Sequence, residues 1–275
     1  MKLSIITVNL NNDKGLLKTI ESVVSQTLTY FEYIVIDGAS TDNSIKIIKK
    51  FADKITYWVS EPDNGVYNAM NKGILKSSGE YCLFLNSGDW LVDTNVVSDF
   101  INSIFTEDIV SGNLILNGND GNVLRKAIKF DDLGFEHIYN NRMPHPSTFI
   151  RKDLFSKYGL YNEENKIVSD WEFFLLCLII HNCSYSNFDR VISNFDMNGI
   201  SSNPQNYSIQ NIERQEVFNK YVPRIYKSFE KFNAEIERLK EMEPEYNEYM
   251  NLKKGKFRFV IKLIIKIKHL KFRFS

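Results

Sequence analysis

Four short apolar runs alternate with helical patterns over the first 90 residues of the chain. The runs cover residues 4–8, 33–36, 55–59 and 81–85, and they are rich in side chains typical of buried strands. Between the last two runs, residues 65–75 carry helical periodicity. Strands that alternate with helices predict βαβ units and a mostly parallel sheet.

An acidic or polar loop follows three of these runs. Asp37 comes directly after the second run, Asp63 follows the third, and the segment Asn-Ser-Gly-Asp at 86–89 follows the fourth. Ligands of open α/β sheets bind outside the carboxyl ends of the strands. A divalent cation is often held there by one or two carboxylates and substrate phosphates. The pattern therefore predicts a ligand site at this edge of the sheet.

The second half of the chain is less regular. Residues 113–122 predict a strand and a Gly/Asn turn, and residues 173–180 form an apolar helical run. Residues 207–221 and 223–242 show helical periodicity with charged faces.

These patterns predict the domain organisation. An α/β domain covers 1–204, with halves at about 1–112 and 113–204, and a helical extension covers 205–275. Two arrangements of the extension are open, since it could pack back on the domain or pair between subunits of a homodimer.

Composition allows an α/β domain of this size without selecting it. The chain has 275 residues, of which 43% are hydrophobic, enough for a large buried core. Its cysteines at 82, 177 and 183 show no metal-ligand spacing, and their odd number fits buried thiols in a reducing compartment. The apolar stretch after Lys2 has only six residues, too few for a secretion signal, so we expect a cytoplasmic protein.

The net charge of zero hides a strong asymmetry. Nine basic residues and no acidic residue follow Glu248. Removing those nine from the 34 basic residues leaves 25 against 34 acidic ones, a charge of −9 on the body. Residues 253–275 place basic side chains on one helical face and apolar ones on another, as in an interfacial helix. The favoured partner of this tail is an anionic membrane surface, with the protein peripheral on the inner face of the cytoplasmic membrane.

Other interpretations of the tail are open. It could be solvated or packed on the body, and nucleic acid is a rival partner. Against nucleic acid, the body is acidic and no stretch resembles an RNA- or DNA-reading motif. Against membrane spanning, Lys262 and Lys266 interrupt the apolar stretch, which is well short of the ~18 residues that a spanning helix needs.

Several segments match, in order and spacing, the signatures of a known family. They are SIITVN at 4–9, VIDGASTD at 35–42, SEPDNG at 60–65, LFLNSGD at 83–89, PHPS at 144–147 and SDWE at 169–172. Together they resemble the family 2 glycosyltransferases over about residues 3–200. The likeness is nearest to the branch that builds bacterial capsule, exopolysaccharide and O-antigen chains.

The resemblance implies the fold and the reaction. The fold would be GT-A, an α/β fold whose mixed, mostly parallel sheet has a Rossmann-like nucleotide-binding half. The reaction would be inverting transfer of a sugar from a nucleotide-sugar donor, expected to be UDP-linked. The acceptor would be a saccharide or a polyprenyl-diphosphate-linked saccharide.

The resemblance also implies a nucleotide site at the ends of the first strands. Thr7, Val8 and Asn9 would lie against the nucleobase. Asp37 would accept a hydrogen bond from the base or ribose, and Asp63 one from the uracil imide. For both aspartates a simple turn-forming role is the alternative.

The donor diphosphate would lie near two further segments. Asn71 and Lys72 would face it from the helix that starts near Gly65, although a solvated Lys72 is the alternative. Asn86, Ser87 and Gly88 would form the loop that passes under the donor.

Asp89 is the residue implied as metal ligand, for Mn²⁺ or Mg²⁺ on the diphosphate. The usual Asp-x-Asp motif is altered here, because Asn86 and Gly88 occupy the positions of its two carboxylates. One carboxylate with diphosphate oxygens can still hold such a cation, with low affinity when the nucleotide is absent.

Asp170 is the implied catalytic base, which would take the proton of the acceptor hydroxyl. Its place before an apolar helical run also fits a helix-capping acid. Glu172, in the same turn, is the reserve candidate for the base. His145 lies between two prolines and could border the acceptor pocket or be purely structural.

Two other functions are considered beside the transferase. A sugar nucleotidyltransferase should carry a Gly-rich, basic phosphate loop near the first strand, which residues 9–15 do not supply. A catalytically silent nucleotide-sugar-binding scaffold should lack the base and metal ligand, whereas Asp89 and Asp170 are both present.

Overall fold

The structure is a computed structural model that describes residues 2–118, 121–140 and 143–242. The basic tail over 253–275 lies outside the described residues, so the prediction for it stays a prediction. The described residues fall into two compact units, which divide between Val217 and Phe218. The domain boundary at residue 204 stays a prediction.

The described residues contain a nine-stranded sheet. The four apolar runs predicted as strands are β-strands, in agreement with the predicted α/β fold. The strands are β1 (Leu3–Asn9), β2 (Glu32–Asp37), β3 (Tyr57–Ser60), β4 (Tyr81–Phe84), β5 (Trp90–Leu91), β6 (Ile109–Gly118), β7 (Gly121–Arg125), β8 (Thr148–Arg151) and β9 (Tyr185–Asp196).

The sheet is parallel in one half and largely antiparallel in the other. Its order is β3-β2-β1-β4-β8-β6-β9-β5, with β7 beside β6. Strands β3, β2, β1 and β4 are mutually parallel, whereas β8 runs antiparallel to both β4 and β6. The sheet is mixed, as predicted, with parallel pairing throughout the first half and between β6 and β9 in the second. In the second half, β6 and β7 form a hairpin, which a short connection permits only between antiparallel strands.

Helices cover both faces of the parallel half, and more follow the sheet. They are α1 (Asp13–Val24), α2 (Ser44–Lys50), α3 (Val66–Lys76), α4 (Val96–Asn102), α5 (Phe135–Tyr139), α6 (Asp153–Tyr158), α7 (Ser169–Phe174), α8 (Tyr207–Tyr221) and α9 (Pro223–Met242). Helix α7 continues as a π-helical turn over Leu175–Ile180. Among the described helices, none has the length and apolar character needed to cross a bilayer.

The core lies on the central strands. Every residue of β1, β2 and β4 is buried, as expected for strands covered on both faces. Helix α1 packs one apolar stripe, Leu16, Ile20 and Val23, into this core. Buried strands of this kind hold their carboxyl ends in fixed positions, and the polar loops that begin there inherit that rigidity.

Candidate active site

Asp37, at the end of β2, is fully buried and held by four hydrogen bonds. Asn9 Nδ2 donates to Oδ1 at 2.7 Å, and Ser60 Oγ donates to Oδ2 at 2.6 Å. The backbone N–H and the hydroxyl of Ser40 donate to the two oxygens at 2.9 and 2.6 Å. Both carboxylate oxygens are thus engaged within the protein. Neither Asp37 nor Thr7, whose hydroxyl meets that of Tyr33 at 3.2 Å, lines the cavity described below.

The loops after β1 and β2 are joined side by side. Asn11 Oδ1 accepts from the backbone N–H of Thr41 at 2.8 Å, and Asn11 N–H donates to Ser40 Oγ at 2.8 Å. One turn further, Asp42 Oδ2 accepts from Asp13 N–H at 2.9 Å. These hydrogen bonds hold the two loops together, and we call residues 9–13 with 37–44 the paired loops.

Asp63 packs against Gly38 in the turn after β2. Its Oδ1 accepts from Gly65 N–H at 3.0 Å, and a Cβ built on Gly38 would come within 2.4 Å of its Oδ2. A side chain at position 38 would therefore displace the carboxylate. Asp63 lines the cavity together with Val8 and Asn9.

Asn71 and Lys72 are engaged away from the cavity. Asn71 is buried, where its amide donates to Tyr161 C=O at 2.9 Å and accepts from Tyr161 N–H at 3.0 Å. Lys72 Nζ pairs with Glu61 at 2.8 Å and donates to Pro62 C=O at 3.0 Å. Neither side chain lines the cavity, and their expected contact with a diphosphate stays a prediction.

The loop 86–89 is clamped from below by α1. Thr19 Oγ1 donates to Asp89 C=O at 2.6 Å and accepts from Gly88 N–H at 3.0 Å. Asn12 Nδ2 donates to Ser87 C=O at 2.9 Å. Gly88 has a φ of +110°, a conformation that side-chain-bearing residues rarely adopt. The second carboxylate of an Asp-x-Asp motif could not stand at position 88 without strain.

Asp89 and Asn86 present oxygen atoms at this loop. Asp89 is 4% exposed, and its Oδ1 accepts from Asp196 N–H at 3.0 Å. Burial raises the pKa of Asp89 to about 7, although the positive charge of His145 opposes the rise. Asn86 Oδ1 is buried and has no hydrogen-bond partner among the described residues. Such an atom is a candidate ligand for a bound cation or substrate.

Asp170, in the first turn of α7, is held by one partner on each oxygen. Tyr67 Oη donates to Oδ1 at 2.7 Å, and His145 Nδ1 lies 2.9 Å from Oδ2. Burial raises the pKa of Asp170. The hydrogen bond and charge of His145 and the hydrogen bond from Tyr67 lower it by more, so the pKa lies below its usual value. The carboxylate is therefore charged at neutral pH.

His145 connects Asp170 to the loop after β4. Its Nε2 lies 3.3 Å from Asn86 Nδ2, on the side opposite Asp170. Burial lowers the pKa of His145, but the hydrogen bond to Asp170 and the charges of Asp170 and Asp89 raise it above its usual value. Glu172, the reserve candidate for the base, is buried elsewhere, where Asn165 Nδ2 donates to it at 2.6 Å.

A cavity of about 770 Å³ joins these groups. The parallel half supplies Val8, Asn9 and Asp63 to its lining, and the loop after β4 supplies Asn86, Ser87 and Asp89. The second half of the chain supplies Asp170 and His145, together with apolar and aromatic side chains: Leu114, Leu116, Met143, Trp171, Phe195 and Tyr207. Basic side chains line the cavity as well: Arg125, Lys166 and Arg214.

The sequence missed three residues of this site. Tyr67 is 103 positions from its partner Asp170, and Asp196 is 107 positions from Asp89, so no local pattern relates them. Asn12 lies in an asparagine-rich loop and has a local signal only as the N-cap of α1, where its side chain accepts from Gly15 N–H.

A parallel half, a largely antiparallel half and a cavity lined by aspartates at the strand ends are the architecture of a GT-A glycosyltransferase. The model of the family described as "Glycosyl transferase family 2" matches residues 4–164. The chain belongs to this family and is a glycosyltransferase, so the nucleotidyltransferase and scaffold alternatives lose their support.

Curated relatives agree with the family. The chain is 33% identical over 205 residues to an uncharacterized glycosyltransferase of Mycobacterium tuberculosis, covering 72% of this chain and 76% of the relative. It is 31% identical over 180 residues to a PGL/p-HBAD biosynthesis glycosyltransferase of Mycobacterium bovis, covering 63% and 68%.

Solved structures share the fold. Staphylococcus aureus TarS in complex with UDP-GlcNAc has a TM-score of 0.62 at 21% identity, over 80% of this chain and 67% of that chain. The mannosyltransferase PcManGT of Pyrobaculum calidifontis, in complex with GDP-Man and Mn²⁺, has a TM-score of 0.57 at 12% identity, over 82% and 64%. The chain spans about two thirds of the length of each solved chain.

Proposed function

We propose that this glycosyltransferase is an inverting enzyme that moves a hexose or N-acetylhexosamine from a UDP-linked donor to a saccharide hydroxyl. The observation that carries the proposal is the Asp170 carboxylate, charged, doubly hydrogen-bonded and facing the same cavity as Asp63 and Asp89. A base on one side and a nucleotide-binding edge on the other suit a single displacement.

The chemistry needs one proton transfer and one substitution. Asp170 would accept the proton of the acceptor hydroxyl while the oxygen of that hydroxyl attacks the anomeric carbon of the donor sugar. The bond from that carbon to the diphosphate oxygen would break, and its electron pair would leave with UDP. A placed base contributes about 10²–10⁴-fold to such a step.

The donor would lie with its base at Val8, Asn9 and Asp63. An ionised Asp63 suits the uracil imide N–H, because a carboxylate is an acceptor only. The solved structure of TarS with UDP-GlcNAc, which shares the fold, supports a UDP-linked donor. Asp37 would act on the donor indirectly, since its hydrogen bonds fix the paired loops.

A divalent cation, Mn²⁺ or Mg²⁺, fits the loop 86–89. No group of three or more His, Cys, Asp or Glu side chains suited to a metal occurs among the described residues. The Asp89 carboxylate and the unpartnered Asn86 Oδ1 are, however, hard oxygen donors of the kind such cations take together with diphosphate oxygens. The bound cation would offset the charge that develops on the departing diphosphate.

The proposed acceptor is a saccharide or a polyprenyl-diphosphate-linked saccharide of bacterial surface polysaccharide synthesis. The aromatic side chains of Phe195 and Tyr207 in the cavity lining suit the faces of sugar rings. The basic, apolar tail over 253–275 supports a lipid-linked acceptor, because an enzyme held at the membrane surface meets such a substrate at raised effective concentration.

Calorimetric titration of nucleotides tests the donor class. UDP, GDP and a panel of nucleotide sugars are titrated into the full-length protein with Mn²⁺ and with chelator. Binding of UDP in preference to GDP, strengthened by Mn²⁺, is expected. A preference for GDP would move the donor class, and absence of binding by every nucleotide would overturn the proposal.

The variant Asp170→Asn tests the base. Transfer should fall by about 10²–10⁴-fold while UDP affinity stays near that of the wild type, since the amide keeps the shape and loses the basicity. Glu172→Gln is the matched control, because that carboxylate lies in the same turn but does not line the cavity. Equal activity of Asp170→Asn and wild type would remove Asp170 as the base.

A further inference from the structure

The loop 86–89 has a glycine where its family's metal motif has a second carboxylate. The positive φ of Gly88 fits glycine, so the substitution follows from the backbone conformation of the loop. A Cβ built on Gly88 would point toward the carboxylate of another residue, Asp196, whose Oδ2 lies 3.4 Å from that Cβ position. A carboxylate from elsewhere in the fold is thus present beside the position that lost one.

Asp196 is fixed in this place by both its backbone and its side chain. It is the last residue of β9, and its N–H donates to Asp89 Oδ1 at 3.0 Å. Its Oδ1 accepts from Asn198 N–H at 3.0 Å and from Asn198 Nδ2 at 2.8 Å. These hydrogen bonds orient Oδ2 toward Gly88, and Asp196 lines the cavity.

We propose that Asp196 supplies the second carboxylate for the divalent cation that Asp89 and the donor diphosphate hold. Asn86 Oδ1 is the third protein oxygen at this place, buried and unpartnered among the described residues. The inference rests on the proposed function and names a further ligand residue of the same site. It explains how a chain without an Asp-x-Asp motif keeps two acidic groups at its donor diphosphate.

Charge supports the same assignment. Two carboxylates next to each other, one of them 4% exposed, repel one another more strongly than they would in water. Lys18 interacts electrostatically with Asp196, so part of this repulsion is already offset. A divalent cation would offset the remainder, which Lys18 at the exposed rim does only weakly.

Measurement of Mn²⁺ binding tests the proposal without relying on turnover. The free Mn²⁺ in a titration of full-length protein saturated with UDP is followed by electron paramagnetic resonance. Asp196→Asn keeps the backbone N–H and the acceptor for Asn198, so the loop should keep its shape. Its Mn²⁺ affinity should fall at least about tenfold, since the loss of mere outer-sphere partners of metals already costs about 10–100-fold.

Asp189→Asn is the matched control. Asp189 is on the same strand, is exposed and accepts from Asn113 Nδ2 at 3.1 Å, away from the cavity. Its substitution should leave Mn²⁺ affinity unchanged. The thermal unfolding midpoint of each variant reports whether the fold is kept. If Asp196→Asn is poorly folded, Asp196→Glu replaces it as the test. This variant retains a carboxylate and should keep part of the Mn²⁺ affinity.

Separate outcomes overturn this inference and the proposed function. Wild-type protein that binds UDP with Mn²⁺, beside an Asp196→Asn variant of equal Mn²⁺ affinity, contradicts the role of Asp196 alone. If the UDP affinity of Asp196→Asn falls equally in chelator and in Mn²⁺, the role of Asp196 as a metal ligand is also contradicted, because Asp196 would then act on the loop or on the nucleotide. Failure of the wild type to bind any nucleotide overturns both.

Discussion

Asp170 owes its chemical character to two residues from distant parts of the chain. Tyr67 comes from α3 and His145 from the segment before β8, and each holds one carboxylate oxygen. Together they keep the pKa of Asp170 low in a place where burial alone would raise it. A base of lowered pKa is a weaker base but is ionised at neutral pH. The catalytic contribution expected of Asp170 therefore comes mainly from its fixed position.

Removal of the Tyr67 hydroxyl tests this positioning. In Tyr67→Phe the pKa of Asp170 should rise, because one hydrogen bond to the charged form is lost, and the acidic limb of the kcat/KM profile should move to higher pH. We expect kcat to fall by about 10–100-fold with little change in KM, because even a small misplacement of a reacting group lowers the rate by such a factor. Steady-state kinetics across pH measure both.

Tyr161→Phe is the control for that experiment. The Tyr161 hydroxyl is buried beside the Tyr67 ring but has no hydrogen-bond partner among the described residues. Its removal should leave kcat and the pH profile as they are. An acidic limb that stays in place in Tyr67→Phe would contradict the role assigned to Tyr67.

At the scale of elements, α3 serves the fold on one face and the site on another. Tyr67 and Met70 border the cavity, whereas Asn71 turns to the segment around Tyr161. Asn71 satisfies both the N–H and the C=O of Tyr161, as a neighbouring strand would. The segment 161–163 is held to the helix by this one amide and by Glu163.

Asn71→Ala should therefore act on stability. The substitution leaves a buried N–H and C=O unpaired, at a cost on the order of 2–3 kcal/mol in the free energy of unfolding. Asn68→Ala is the control, since Asn68 reaches the same Glu163 at 2.8 Å from a partly exposed position, and it should cost less than about 1 kcal/mol. Urea denaturation measures both, and equal losses would contradict the argument from burial.

The elements that sequence patterns could predict are those with local signals. The first four strands are continuous apolar runs, so the parallel half could be predicted, and Asp63, Asp89 and Asp170, which were chosen from local motifs, all line one cavity. Asn71 and Lys72 have the right sequence neighbours, but their partners lie on the segment 161–163 and at Glu61. Side-chain direction depends on packing that a helical pattern does not encode.

At the scale of the whole molecule, charge separates an acidic body from the basic segment 253–275. Deletion of that segment should release the protein from vesicles of anionic lipid, because each basic residue near such a surface contributes about 1 kcal/mol. Cosedimentation measures the bound fraction, with vesicles of neutral lipid as the control. Unchanged sedimentation of the shortened chain with anionic vesicles would contradict the proposed membrane surface.

The orientation of the second half of the sheet shows what sequence could not supply. Strand β9 lies parallel to β6 and ends at Asp196, which brings that residue beside the loop after β4. The local sequence around Asp196 does not predict this proximity, because it arises from strand pairing across the sheet. The largest gap in the predicted site is therefore a consequence of long-range topology.

The paired loops have a consequence for how sequence change can alter this enzyme. Their hydrogen bonds already join Asn9 to Asp37, Asn11 to Thr41 and Asp13 to Asp42 in the free protein. A nucleotide would bind to segments whose conformational entropy was lost during folding, which favours affinity. Substitutions in these loops will lower thermal stability and donor affinity together, so natural or laboratory selection for a new donor must begin from a protein with stability to spare.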